Sequence, residues 1–187
     1  KYRLSEAMMA VYKLFWDEFS SWYLEMVKPG YQQPIDKATY EATLGFFDAL
    51  LRLLHPFMPF ITEELWQQLR EREPGASLMV QPLGEPGEVN EEFLQQFETA
   101  KEIISSVRTI RLQKNIALKE PLELQVVGAN PVEKMNPVIR KMCNLSAIEV
   151  VDAKADGASS FMIGTTEFAV PLGNMIDVDA EIARMEA

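Results

Sequence analysis

The chain has 187 residues, 48% apolar and 25% charged, with one cysteine (Cys143) and one histidine (His55). That suffices for one ordinary domain or two small ones with a packed core, and it excludes a disulfide framework and a zinc cluster. The net charge of −10, from 18 basic and 28 acidic residues, argues against a protein that blankets phosphates.

The charge is uneven, however. Residues 101–119 carry five basic side chains against the single acid Glu102, so a local basic face survives. No apolar run approaches the ~18–20 residues of a membrane span, and no signal peptide opens the chain, so no membrane partner is expected.

The spacing of Leu4, Met8, Val11, Phe15, Phe19, Trp22 and Met26 predicts a helix with one apolar stripe, stopped by Pro29-Gly30. Its periodicity is already running at residue 4, as expected of a piece of a larger domain. A second helix is expected from Ile35-Asp36, with Asp36 as cap. It carries Tyr40, Leu44, Phe47, Leu51 and Leu54, and Phe46, Leu50 and Leu53 widen its apolar face. Pro56 and Pro59 within HPFMPF force a turn. A third helix is expected from Thr62 to Pro74-Gly75, with Glu63 and Glu64 in the first turn, where the helix dipole favours them. Short connections between three such helices imply antiparallel neighbours in a bundle.

Residues 73–89 hold three prolines and three glycines and read as a surface linker within that bundle. Asn90 then caps a fourth helix over 91–114, buried through Phe93, Phe97, Ala100, Ile103, Ile104, Val107 and Ile110. Lys101, Arg108 and Arg111 lie beside that face, and Lys114 would enter it, so the helix ends or bends there. From 122 the period becomes two: Leu122 to Val127 is a strand. Residues 131–143 form a short helix that Pro137 either kinks or starts, Ile148 to Val151 is a strand, and 161–170 is a hairpin around Gly164. Residues 177–187 begin a new helix. The expected architecture is mainly α: a helical bundle over 1–118, a small α+β unit over 119–173, and the root of a C-terminal helical arm over 174–187.

Reactive constellations are lacking. No Gly-rich phosphate loop is present. His55 sits among apolar residues and reads as structural, and Cys143 reads as a small buried hydrophobe. Adjacent helical residues such as Glu63 and Glu64 point about 100° apart, so they do not form an acid–base pair. No catalytic, cofactor or metal residues are assigned. Two groups suit binding. Lys101, Arg108, Arg111, Lys114 and Lys119 could meet phosphates, or could form a solvated helix face. Among Trp16, Trp22, Tyr23 and Trp66, rings on which unstacked bases could lie, Trp16 stands to the side of the core stripe.

Three segments resemble a known family. Phe19 to Pro29 (FSSWYLEMVKP) resembles the FCDWYLE…KP segment of class I aminoacyl-tRNA synthetases for branched aliphatic amino acids. His55 to Trp66 (HPFMPFITEELW) is similar to the segment that ends their helical anticodon-binding domain, in its valyl form rather than the leucyl HPFAPHIAEELW or the isoleucyl form without HPF. VRTIRLQKNI, followed by Pro121-Leu122, resembles the valyl IRxIRxExNI…PxxPL segment, except that Gln113 stands where the family usually has an acid.

The resemblance runs over essentially the whole chain. It implies a C-terminal piece of a valyl-tRNA synthetase, with most of the anticodon-binding domain and without the catalytic and editing domains. ATP and magnesium would belong to the full-length enzyme. The partners it implies are tRNA and the remainder of the synthetase chain, in a cytoplasmic monomer. The tRNA-facing residues assigned on this basis are Arg108, Arg111, Lys114, Lys119, Lys101, Trp16 and Lys28. The alternatives are an isoleucyl or leucyl fragment, or a helical protein-interaction module without RNA affinity.

Overall fold

The computed structural model describes residues 3–85 and 87–173; the helical arm expected over 174–187 lies outside them. The chain divides into two compact units, Lys1–Glu88 and Val89–Ala187.

In the first unit one long helix comprises α1 (Leu4–Lys13), a π-helical segment (Leu14–Tyr23) and α2 (Leu24–Val27). The Leu24 N–H reaches back five residues to the Phe19 carbonyl. The Ser21 hydroxyl likewise donates to the Trp16 carbonyl at 2.8 Å, which supports the wider turn. Residues four apart therefore align: Phe19 stacks on Tyr23, with ring centroids 5.6 Å apart. Phe15 and Phe19 both meet Phe47, at 6.3 and 6.0 Å. Of the predicted stripe only Phe19 is buried. Leu4 and Met8 stand 69% and 46% exposed, because the wide turns shift the packed face onto Phe15, Phe19 and Tyr23.

Asp36 caps α3 (Lys37–Leu54) as expected, accepting from the Thr39 N–H at 2.9 Å. α4 (Pro59–Leu69) begins three residues before the predicted Thr62, since Pro59 in its first turn has no N–H that needs a partner. It ends well before Pro74-Gly75, where Arg70 turns to extended backbone. Leu51, Trp66 and Leu78 form the core, flanked by Phe47, Leu69 and Ala76. Leu78 belongs to a short 3-10 turn (Leu78–Val80), so the supposed linker contributes a buried residue.

Glu63 holds that turn. It accepts from Gln67 Nε2 at 2.8 Å, the Ser77 hydroxyl at 3.0 Å and the Leu78 N–H at 2.9 Å, bonds that keep its carboxyl below the usual range. It anchors a loop rather than serving the helix dipole. His55 Nδ1 lies 2.8 Å from the Thr62 hydroxyl, which itself reaches the Met58 carbonyl at 2.8 Å, so His55 ties the Pro56–Pro59 turn to α4.

One carboxylate organises the rest of this unit. Asp48 accepts from Arg52 Nε at 2.6 Å, the Trp66 indole N–H at 2.8 Å and Arg72 Nη2 at 3.1 Å. The Arg72 guanidinium lies 3.8 Å over the Trp66 ring. Partial burial opposes ionisation of Asp48, but these donors outweigh it and hold the carboxyl below the usual range.

The second unit runs α5 (Glu91–Gln113), β1 (Leu122–Val127), a 3-10 turn (Glu133–Met135), α6 (Asn136–Cys143), β2 (Leu145–Val151), β3 (Ser159–Ile163) and β4 (Thr166–Val170). Asn90 caps α5 through the Phe93 N–H at 2.9 Å, and Pro137 starts α6 rather than kinking it. The sheet order is β2-β1-β4-β3. β1 pairs with β2 in parallel, and the β1–β4 and β3–β4 pairs are antiparallel. The parallel pair needs a crossover, which the 3-10 turn and α6 supply.

Helix α5, grouped by sequence with the bundle, packs on α6 and β3. Its Ala100, Ile103, Ile104 and Val107 are fully buried. Phe93, expected in that core, is instead 53% exposed, because it sits in the first turn, before the packed stretch begins.

Candidate nucleic-acid interface

The basic stretch of α5 leads to the carbonyl end of α6. Residues 108 and 111, one turn apart, fall on adjoining positions of the helix surface. The Arg111 guanidinium is buried, with 2% of the residue exposed. It donates through Nη1 to the Ala117 carbonyl at 2.9 Å, and through Nη2 to those of Cys143 at 2.8 Å and Asn144 at 3.3 Å. Arg108, exposed, donates to the Met142 carbonyl at 3.4 Å.

A helix leaves its last carbonyls unbonded and partly negative. Two guanidinium groups from another helix cover that end here. Arg111 is therefore corrected from a phosphate-facing residue to an internal clamp. Burial draws its pKa downward, yet a guanidinium stays charged. Beside it, burial pushes the Cys143 thiol up to about 11, so this cysteine is an inert core group, as expected.

The loop after α5 is tied to the same place. Asn144 ends α6 at φ 50°, in the left-handed region that suits asparagine after a helix. Its Nδ2 donates to the carbonyls of Leu118 and Lys119, both at 3.1 Å. The Ile116 N–H returns to the Arg111 carbonyl at 2.8 Å. Lys119 is thus exposed on a loop with a fixed path, and Lys114, half-buried, is the residue that closes α5. Lys101 lies further back along α5, mostly buried, paired with Glu98 at 2.6 Å and set 5.2 Å over the Phe97 ring.

Trp16 and Lys28 belong to the first unit. Trp16 is 56% exposed and stacks on Tyr12, with centroids 6.5 Å apart. Lys28 is exposed and pairs with Glu25 at 3.5 Å. Trp66 is fully in the core. Sequence reasoning passed over Asn144, although an asparagine between a short helix and a strand is itself a signal for a left-handed cap. Among the described residues no group of three or more metal-ligating side chains occurs, and no helix is long and apolar enough to cross a membrane.

Residues 1–126 match the family described as the anticodon-binding domain of tRNA ligase. The chain belongs to that family. The match to this anticodon-binding family extends past the first unit, through α5 and most of β1. The chain is also 89% identical over its whole length to a valine–tRNA ligase of Bacteroides fragilis and 70% identical to one of Phocaeicola vulgatus. It is 34% identical to one of Oceanobacillus iheyensis over 201 aligned positions. It spans 21–22% of the length of these relatives.

Proposed function

We propose that this chain is the tRNA-recognition module of a valine–tRNA ligase, engaging the anticodon stem-loop while charging with valine is carried out by the rest of that enzyme. The reading rests above all on the match of residues 1–126 to the anticodon-binding family, and the name shared by its relatives supplies the amino acid. An acidic chain suits the task, since unpaired anticodon bases are read by stacking and edge contacts rather than by blanket phosphate neutralisation. The basic end of α5 then supplies a local backbone contact through Arg108, Lys114 and Lys119. Trp16 and Lys28 stand as further contacts on the first unit. ATP and magnesium act on the remainder of the ligase, which works as a cytoplasmic monomer.

Two measurements on the full-length gene product test this. Charging assays with valine, isoleucine and leucine should give acylation of valine-accepting tRNA alone. Arg108→Gln with Lys119→Gln should raise the KM for tRNA severalfold and flatten its salt dependence by about 0.7 for each phosphate left without its cation. Charging with isoleucine or leucine would overturn the amino-acid assignment, and an unmoved KM and salt slope would remove the α5 edge from the interface.

A further inference from the structure

Two acid-poor stretches of an acidic chain meet at one point. Residues 103–120 carry Arg108, Arg111, Lys114 and Lys119 against Glu120 alone, and residues 134–148 carry Lys134, Arg140 and Lys141 with no carboxylate. The bonds of Arg108, Arg111 and Asn144 join them by fastening the 117–119 carbonyls and the end of α6 together. Ile139 and Cys143 point α6 into the core, and Arg140 and Lys141 between them are exposed.

Cations in the last turn of a helix ordinarily answer its dipole. Here the α6 carbonyls of Met142, Cys143 and Asn144 already receive guanidinium groups from α5. Arg140 Nη2 donates to the Ser146 carbonyl at 2.6 Å, and a guanidinium carries five N–H donors in all. Arg108, Arg111, Lys114, Lys119, Arg140 and Lys141 thus belong to two joined stretches in which Glu120 is the one acid, and an extended polyanion is the partner that such a cluster attracts.

We propose that the last turn of α6 and the loop after α5 form a single surface for the phosphodiester backbone of RNA, with Arg140 and Lys141 contacting phosphates beside Lys119 and with Asn144 as the residue that positions Lys119. This rests on the reading of the chain as a tRNA-recognition module and extends it to an element that reading did not include. Holding a cation in place before the RNA arrives removes the cost of ordering it on binding, and the two amide bonds from Asn144 do this for the backbone at 118–119.

The test uses the full-length gene product and a valine-accepting tRNA transcript, titrated from about 50 to about 200 mM salt. Arg140→Gln with Lys141→Gln should weaken binding about tenfold and lower the salt slope by about 1.4, since each phosphate neutralised on a single strand contributes about 0.7. In charging assays the loss should fall on the KM for tRNA rather than on kcat. Asn144→Gly keeps the left-handed backbone while deleting both amide bonds. It should weaken binding severalfold in the native background and hardly at all in a Lys119→Gln background, the non-additivity expected of coupled residues. If Lys119→Gln weakens binding but the Arg140/Lys141 pair leaves the slope unmoved, this inference falls while the recognition reading stands. If Lys119→Gln and Arg108→Gln also leave it unmoved, this inference falls together with the α5 edge of the interface, and a native protein that does not bind the transcript would overturn the recognition reading as well. Full additivity of Asn144→Gly with Lys119→Gln would show that Asn144 serves only the fold.

Discussion

The two units bury charge in opposite ways. In the first, a carboxylate at the centre, Asp48, gathers two arginines and an indole around itself. In the second, an arginine at the centre, Arg111, gathers backbone carbonyls. Their apolar cores differ as sharply. Among the described residues five apolar side chains are buried in the first unit and seventeen in the second. The first unit leaves Phe60 90%, Tyr31 91% and Trp16 56% exposed. A unit with few buried apolar groups depends on its polar network, whereas one with a full core can use an ion to fix a loop.

The largest expected effect tests the carbonyl-bound arginine. Arg111→Leu deletes three guanidinium–carbonyl bonds, each worth about 1.5–3 kcal/mol for a charged donor. The buried Cys143 carbonyl loses its donor, while those of Ala117 and Asn144 keep the Glu120 and Leu122 N–H groups. Urea unfolding should show a loss of about 3–5 kcal/mol, and a loss below about 1 kcal/mol would mean that water replaces the guanidinium there. Ile104→Ala, at a fully buried position of the second core, should cost about 2–4 kcal/mol. Trp66→Phe keeps the ring in the first core but deletes the N–H to Asp48, a charge-assisted bond worth about 1.5–3 kcal/mol. A smaller loss there than at Ile104 confirms the ranking of the two cores. Phe60→Ser, on the first unit's exposed face, should stay within about 0.5 kcal/mol and would contradict the comparison by exceeding about 1.5.

Acid should also separate the units. The folded pKa of Asp48 is depressed, so its stabilisation is present above the ordinary carboxylate value of about 3.9 and is lost as the pH falls through the lowered folded value. The first unit should therefore show an acid-sensitive transition that Asp48→Asn removes, detectable by Trp66 fluorescence between about pH 5 and about pH 2. Persistence of that transition in Asp48→Asn would assign it to other carboxylates.

Much of this is legible in the sequence. The caps at Asp36 and Asn90, the period of α5, the alternation of β1 and the 161–170 hairpin all follow local rules that tertiary packing does not override. Family motifs carry the function further than residue chemistry can. The departures share a cause. Arg111 resembles any surface cation on a helical wheel, and its burial follows from α6, 32 residues away, presenting carbonyls to it. Leu78 reads as linker because the turn that seats it depends on Glu63, distant in sequence. The stripe of the first helix fails because a 3.6-residue period does not hold where the ladder reaches five residues back.

That wide-turned stretch also acts as a length gauge. A ladder bonded to the fifth residue back holds roughly one residue more per turn than its α-helical neighbours. Loss of about two codons within Leu14–Tyr23, a stretch of roughly two such turns, would return it to ordinary pitch without breaking the helix. The same turns would then be spanned by fewer residues, and Leu4 to Lys13 would keep its bearing about the helix axis, with Met9 and Tyr12 facing as before. The segment thus takes up residues beyond the ordinary pitch, so that chain length there can change while α1 keeps the side it turns outward.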